Sequence, residues 1–349
     1  MKIRLLTFIL CIGYTLSAQV GIPDSIFEQR LIDLNYDDTL NGWVLIDTIN
    51  MIDTLDISGF NGQIDKITDL TGIEYFTNLE YLNCSNNKFD TLDLNKNNKL
   101  KHIICTADSI DILMIDSLYS LYKLQCNSNN ITTLNLLGNP ALTELWCWDN
   151  LLDSIDLSNN IYLGDLFCGE NNLKSLDLSA MQLPGLINLR CQNNIINTLD
   201  LTNNPALETL ICYNNNLENI FLHDNPNVNL LNIGNVASQP SPFNNNFNSL
   251  DISNNCDLTV FYSKGLSNLQ CIQVCDTLAA NNWNTQNIDP QHYFSDNCNY
   301  TAINETTQEN SKVMSIKDIY GRESSKKTNS LLFFQYKDGT VVKQIILDK

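Results

Sequence analysis

Basic residues are scarce in this 349-residue chain: 20 Lys and Arg stand against 39 Asp and Glu, for a formal net charge of −19. That balance excludes nucleic acid as a partner, because phosphates demand Lys and Arg in excess. Histidine is scarcer still, and the three residues, His102, His223 and His292, lie far apart along the chain. No convergent acid, base and nucleophile can be assembled from them, and the nucleophile elbow, P-loop, H-E-x-x-H and dinucleotide fingerprint are all missing. The sequence points away from an enzyme and calls for no cofactor. Beyond residue 16 there is also no run of eighteen apolar residues, so no membrane-crossing helix is expected in the mature chain.

The one long apolar run, residues 5–16, follows Lys2 and Arg4 and precedes Ser17-Ala18. A positive end, an apolar stretch and small residues are the parts of a secretory signal, here residues 1–18. Cys11 sits inside the run behind Leu10, without the small upstream residues of a lipid-anchoring cysteine.

What the chain does have is a metre. Cys84, Cys105, Cys126, Cys147, Cys168, Cys191 and Cys212 are separated by 21, 21, 21, 21, 23 and 21 residues. A fixed period of this size means one supersecondary unit stacked on copies of itself. One unit reads Leu79-x-x-Leu82-x-Cys84-x-x-Asn87-x-Phe89-x-x-Leu92-x-Leu94, with Asn97 and Leu100 before the next Ile103-x-Cys105. Alternation over Leu82-Asn83-Cys84 is strand periodicity, so each turn contributes one short strand to a parallel sheet. A second extended step, Leu92-Asp93-Leu94 and its copies, forms the opposite wall. Asn87, Asn129, Asn150, Asn171, Asn194 and Asn215 recur where the strand turns away, and their amides can satisfy backbone groups that lose ladder partners there.

Metal binding by the cysteines is disfavoured, because equivalent slots form a row and not the converging tetrahedron of structural zinc. Disulfides between rungs about 4.8 Å apart are disfavoured too, because equivalent side chains on parallel strands point the same way. Small buried thiols are the expectation.

The pattern L-x-x-L-x-C-x-x-N-x-L followed by L-D-L-S resembles the internalin-like leucine-rich repeats of bacterial surface proteins, over roughly residues 64–272. The resemblance implies an α/β-type solenoid: a right-handed superhelix with a parallel concave sheet, an N-terminal helical cap and a small C-terminal β module. The expected divisions are signal 1–18, N-terminal cap 19–63, repeats 64–265, C-terminal cap 266–298, linker 299–311 and a terminal module 312–349. Departures are two extra residues near 181–185, Ile233 in the cysteine slot, and an insertion around 236–247 whose Ser238-Gln239-Pro240-Ser241-Pro242 should form a loop.

In the N-terminal cap, residues 25–34 read as an amphipathic helix with Asp24 as N-cap. Asp37-x-Thr39-x-Asn41-Gly42 echoes a calcium loop but has Thr48 where a bidentate Glu is required, so a plain turn into a strand at 43–46 is preferred. Cys256, Cys271, Cys275 and Cys298 break the metre, and four cysteines in an exported chain allow three pairings. A zinc site has only a lone C-x-x-x-C in its support. This region resembles the terminal cap of leucine-rich proteins from Bacteroidota, which implies a Cys271–Cys298 disulfide.

The tail alternates in strand fashion around Lys337-Asp338-Gly339-Thr340, a hairpin signal. With Asp318-Ile319-Tyr320-Gly321-Arg322 it resembles the C-terminal sorting domain read by the type IX secretion system of Bacteroidota, though without the usual Pro-Asn-Pro opening. The resemblance implies export across the outer membrane to the cell surface or the medium. Asp followed by Ser or Thr and an aliphatic residue, as in Asp153-Ser154-Ile155, resembles the O-glycosylation sequence of Bacteroidota.

Residues flanking each cysteine are expected to face out of the concave sheet. Large side chains gather there at the middle rungs: Trp146, Trp148, Phe167, Arg190 and Tyr213. Exposed aromatics and arginine are what binding hot spots use, and Glu144, Asp165, Asp149 and Glu170 lie around them. The expected function is binding of a protein, in particular one with basic residues, or of a glycan. The alternative is a structural surface component that self-associates through the same patch.

Overall fold

A computed structural model describes residues 18–60, 64–181, 185–235 and 244–298, and the backbone of three strands beyond them. The signal sequence apart from Ala18, residues 182–184, residues 236–243 of the insertion, the linker at 299–311, and the tail segments 318–323 and 337–340 lie outside the described residues. The chain divides into two compact units, Met1–Asn297 and Cys298–Lys349.

In the first unit, the 21-residue period becomes a ten-stranded parallel sheet. Its three-residue strands run Thr54–Asp56, Tyr81–Asn83, His102–Ile104, Lys123–Gln125, Glu144–Trp146, Asp165–Phe167, Asn188–Arg190, Thr209–Ile211, Leu230–Asn232 and Val260–Tyr262. Each pairs in register with the next, so Leu82, Ile103, Leu124, Leu145, Leu166, Leu189, Leu210 and Leu231 form one buried column. The sheet begins upstream of residue 64: Thr54–Asp56 already pairs with Tyr81–Asn83.

The cysteines form the next inward column, all seven buried and free. Burial pushes their thiols up, to about 12 at Cys126 and Cys191. Ile233 fills the same slot with no exposure.

The turn after each cysteine is held by the asparagine ladder. Asn150 Nδ2 donates to the carbonyls of Cys126 and Cys147 at 3.0 and 3.2 Å, while its Oδ1 accepts the Ile131 N–H at 3.0 Å. Asn171 and Asn215 repeat this pattern one and three rungs on. Within the insertion expected around 236–247, Asn245 restores it by donating to the carbonyls of Cys212 and Ile233. A second amide row, not read from the sequence as a ladder, ties the opposite corner: Asn160 Nδ2 donates to Leu136 and Asn139 carbonyls, and Asn225 to Leu201 and Asn204.

The expectation of an α/β-type solenoid is corrected. Between Tyr81 and Tyr262 the described residues contain no α-helix, and the return segments are turns and extended chain. The strand, the asparagine turn, the second wall and its closing turn use up the 21 residues, leaving no stretch with helical spacing of apolar side chains. Among the described residues the second wall pairs as strands only at its ends: Thr91–Asp93 with Ile112–Met114, and Leu250–Ile252 with Cys271–Val274 and then Tyr293–Ser295. Between them the wall is extended and its leucines are buried.

At the amino end, helix Ser25–Asp33 is capped by Asp24, whose carboxylate accepts the N–H groups of Ile26 and Phe27. Three further bonds from Thr68 and Asp69 reach its other oxygen and tie this helix to the repeats. Phe27 and Leu31 are buried, with Phe27 stacked 6.3 Å from Phe76. The strand expected at 43–46 is Trp43–Leu45, antiparallel to Gln19–Gly21, and Ile46 instead opens the short helix Ile46–Ile49. The segment resembling a calcium loop closes on the buried Glu28, whose Oε1 accepts the N–H groups of Asn41, Gly42 and Trp43 at 2.7, 2.5 and 3.3 Å.

At the carboxyl end, Cys256 and Cys275 form a disulfide with Cα atoms 5.3 Å apart. They follow neighbouring parallel strands of the second wall, Leu250–Ile252 and Cys271–Val274, which brings their positions together. In the second unit Val313–Lys317, Ser330–Tyr336 and Val341–Ile346 form an antiparallel sheet with the middle segment central.

Candidate functional site

On each concave strand the middle residue is buried and the outer two face away from the core. Residues one and three before each cysteine therefore share the outer face. At the middle rungs this juxtaposition builds a continuous row. Trp146 stacks on Phe167, centroids 5.2 Å apart and planes 26° from parallel. Lys123 Nζ lies 5.3 Å from the Trp146 ring centroid on one side, and Arg190 Cζ lies 4.6 Å from that of Phe167 on the other. Register makes this possible, since Trp146 is paired with Phe167 and Phe167 with Arg190.

Tyr81 and His102 extend the aromatic surface toward the amino end, edge to face at 5.0 Å, with Tyr122 at 6.4 Å from His102. Burial, assisted by Lys123, pushes the His102 pKa below its usual range, so the imidazole is neutral at pH 7. Two ring nitrogens in this surface, Trp146 Nε1 and His102 Nε2, are buried without a hydrogen-bond partner.

The charges around the row are largely committed. Glu144 pairs with Lys123 at 2.6 Å. Asp165 accepts a bond from Asn188 Nδ2 at 2.7 Å. Asp149 and Glu170 stand on the turns after their cysteines, with φ of 56° and 54°. Burial, then Asp149, raises the Glu170 pKa, and a bond to Asn193 opposes them.

Of the five residues singled out from the sequence, the row joins Trp146, Phe167 and Arg190. Tyr213 stands near Asn193, with its hydroxyl pKa raised by burial and by Glu170. Trp148 follows its cysteine at the edge of the strand and is partly buried. The expectation that every residue after a cysteine faces outward is corrected: Ser85, Asn127 and Gly169 in that column are buried, because the chain is already turning. Gln192 folds over Gly169, where an added Cβ would meet its Nε2 at 2.6 Å. Lys123, His102 and Tyr81, which the flanking-residue reading missed, were available from the parity of the strand.

The surface is open, suited to a partner lying along it. The cavity lined by Asp200, Glu218 and Phe221, about 740 Å³, lies on the second wall instead. Ser263, His292 and Asp289 converge near the carboxyl end, with Ser263 Oγ 3.0 Å from His292 Nδ1. Ser263 and the His292 side chain have no solvent exposure. Among the described residues no group of three or more His, Cys, Asp or Glu could hold a metal ion, and no helix is long and apolar enough to cross a membrane.

No family model matches the sequence, and no curated protein does. Among solved structures, the chain is similar to the functional domain of InlJ from Listeria monocytogenes, which includes a cysteine ladder. That match is 22% identical, covers 74% of this chain and 66% of that one, and has a TM-score of 0.51. Internalin C2 of Listeria monocytogenes str. 4b F2365 is 24% identical over 59% of this chain and 91% of that one, with a TM-score of 0.50. A TDR receptor is 19% identical over 66% of this chain and 44% of its own, with a TM-score of 0.52. This chain thus spans just under two thirds of the first and less than half of the receptor. These likenesses, with the geometry above, show the fold: an internalin-like leucine-rich repeat solenoid with a cysteine ladder.

Proposed function

We propose that this protein is an exported binding protein that meets a protein or glycan partner on its concave face, at the row from Lys123 through Trp146 and Phe167 to Arg190. The observation that carries this reading is the Trp146–Phe167 stack, bracketed by two cations and facing away from the core. The repeats do not need large aromatics there, since Asn83 and Asn232 occupy the same column elsewhere. Trp148 and Tyr213 form the edge of the contact. A glycan and peptide array probed with the full-length protein and with Trp146→Ala tests the assignment. Signals that vanish in the variant support it, and signals that persist unchanged overturn it.

Destination is the second part of the reading. The signal at 1–18 starts export, and the tail at 312–349 is read by the type IX machinery. Three antiparallel strands in that tail are consistent with a small sorting module. Deleting residues 312–349 should strand the protein in the periplasm, and unchanged delivery to the surface contradicts the assignment. Within the terminal cap, Cys271 pairs with Cys298. The support is that Cys256 and Cys275 are bonded to each other, and that both remaining cap cysteines are buried and oxidised.

A further inference from the structure

We infer that Arg190 is a carboxylate-recognition point within the concave surface, so that the ligand presents an anionic group beside an apolar or ring face. This rests on the concave-face reading above and gives it a chemistry opposite to the basic partner that the acidic composition suggests.

The argument starts from which charges are spent. Among the described residues, side-chain ion pairs on this sheet join Lys123 to Glu144 and Lys101 to Glu80. Asp165, diagonal to Arg190 across the strand pair, is engaged by Asn188. Among the described residues Arg190 has no carboxylate partner, in a chain where acids outnumber bases 39 to 20. Its side chain is exposed, and its guanidinium is held over the Phe167 ring at 4.6 Å. Contact with the ring restrains the guanidinium at an exposed position. A planar fork held in place loses less freedom when it binds, and it matches the two oxygens of a carboxylate.

The neighbours agree with this polarity. Beside Arg190, the next strand offers Ile211 and Thr209, neither of them charged. On the other side the Trp146–Phe167 stack supplies a ring surface. The field of the acidic chain opposes an anion at a distance, but beyond about 8 Å physiological salt screens it. The contact is thus short-ranged, and it selects ligands that reach the fork. The proposed bearer of the carboxylate is a peptide segment, which can lie along the four rungs from Lys123 to Arg190; an acidic sugar is the alternative that the test decides.

The test uses the full-length protein and two matched pairs of small probes, up to about 10 mM, read by saturation-transfer NMR and tryptophan fluorescence. One pair is N-acetylphenylalanine and its amide; the other is glucuronic acid and its methyl ester. N-acetylphenylalanine should bind about tenfold more tightly than its amide, and a preference shown by glucuronic acid alone overturns the peptide assignment. Arg190→Gln should abolish the preference and Arg190→Lys should restore only part of it, while Trp146→Ala should weaken acid and neutral members alike. Equal affinity of acid and neutral members, or a preference that survives Arg190→Gln, overturns the carboxylate assignment and leaves the concave site standing. If no probe binds, or if binding is indifferent to Trp146→Ala, the concave reading fails and takes this inference with it.

Discussion

Asp108 takes the ladder position that asparagine holds in the other rungs, and its Oδ1 accepts the Asn87 N–H at 2.6 Å while its Oδ2 is buried without a partner. An asparagine there would turn an amide toward the cysteine carbonyls, as Asn150 does toward Cys126 and Cys147. A carboxyl can do so only when protonated. Burial accordingly pushes its pKa up to about 7, against the Asn87 bond and Lys66, which both lower it.

A pH dependence follows. The folded pKa lies above the unfolded value, so the folded state holds the extra proton. The stability contribution is complete below about pH 4 and is lost as pH rises through about 7. Asp108→Asn should cancel this slope and stabilise the protein at pH 8 by on the order of 3 kcal/mol. Denaturant midpoints of both proteins at pH 5 and pH 8 check it. A variant no more stable than the parent at pH 8 would contradict the neutral-acid account.

The ladder asparagines should be among the least replaceable residues in the repeats. Asn150→Ala removes bonds to two carbonyls and one N–H, all inside the solenoid. Leaving them unsatisfied should cost about 3 to 5 kcal/mol. Thermal or urea unfolding measures the loss.

The cysteine row should be chemically silent. All seven thiols are buried and pushed toward the protonated form, and the thiolate is the species that reacts. Iodoacetamide at pH 8 should label none of them in the native protein and all seven in guanidinium. Labelling of even the central Cys147 in the native state would show that the core opens. The Cys256–Cys275 bond behaves differently. It closes a 19-residue separation, and replacing both cysteines by serine should cost about 3 kcal/mol.

Much of this was legible because the metre fixes register. Once cysteine marks one inward slot, Leu145 and Ile233 fall into place, and the turn asparagines declare their backbone role. The outward column after the cysteines was misread because alternation ends where the chain enters the turn: Asp149 and Glu170 already have positive φ. Lys123 escaped although parity puts it on the same face as Trp146, since it stands three residues before its cysteine and not beside it. The return segments gave no helix because leucines such as Leu152 and Leu157 are spaced for a wall. The Cys256–Cys275 pairing depends on second-wall register, which the insertion around 236–247 hides from a simple count.

Trp146→Ala should leave the fold nearly intact. The ring is partly buried, and losing its stack on Phe167 should lower stability by about 1 kcal/mol. Calorimetry separates this small shift from a collapse of the solenoid.

The central claim is that the partner lies along the row from Lys123 to Arg190. Oxidative footprinting of the full-length protein with its array-identified ligand tests it most directly, because Trp146 and Phe167 report on the concave row and Phe221 on the second wall. Protection of Trp146 and Phe167, with Phe221 unchanged, is the predicted result. Protection of Phe221 or Trp43, with Trp146 and Phe167 oxidised as in the free protein, would place the partner elsewhere and contradict it.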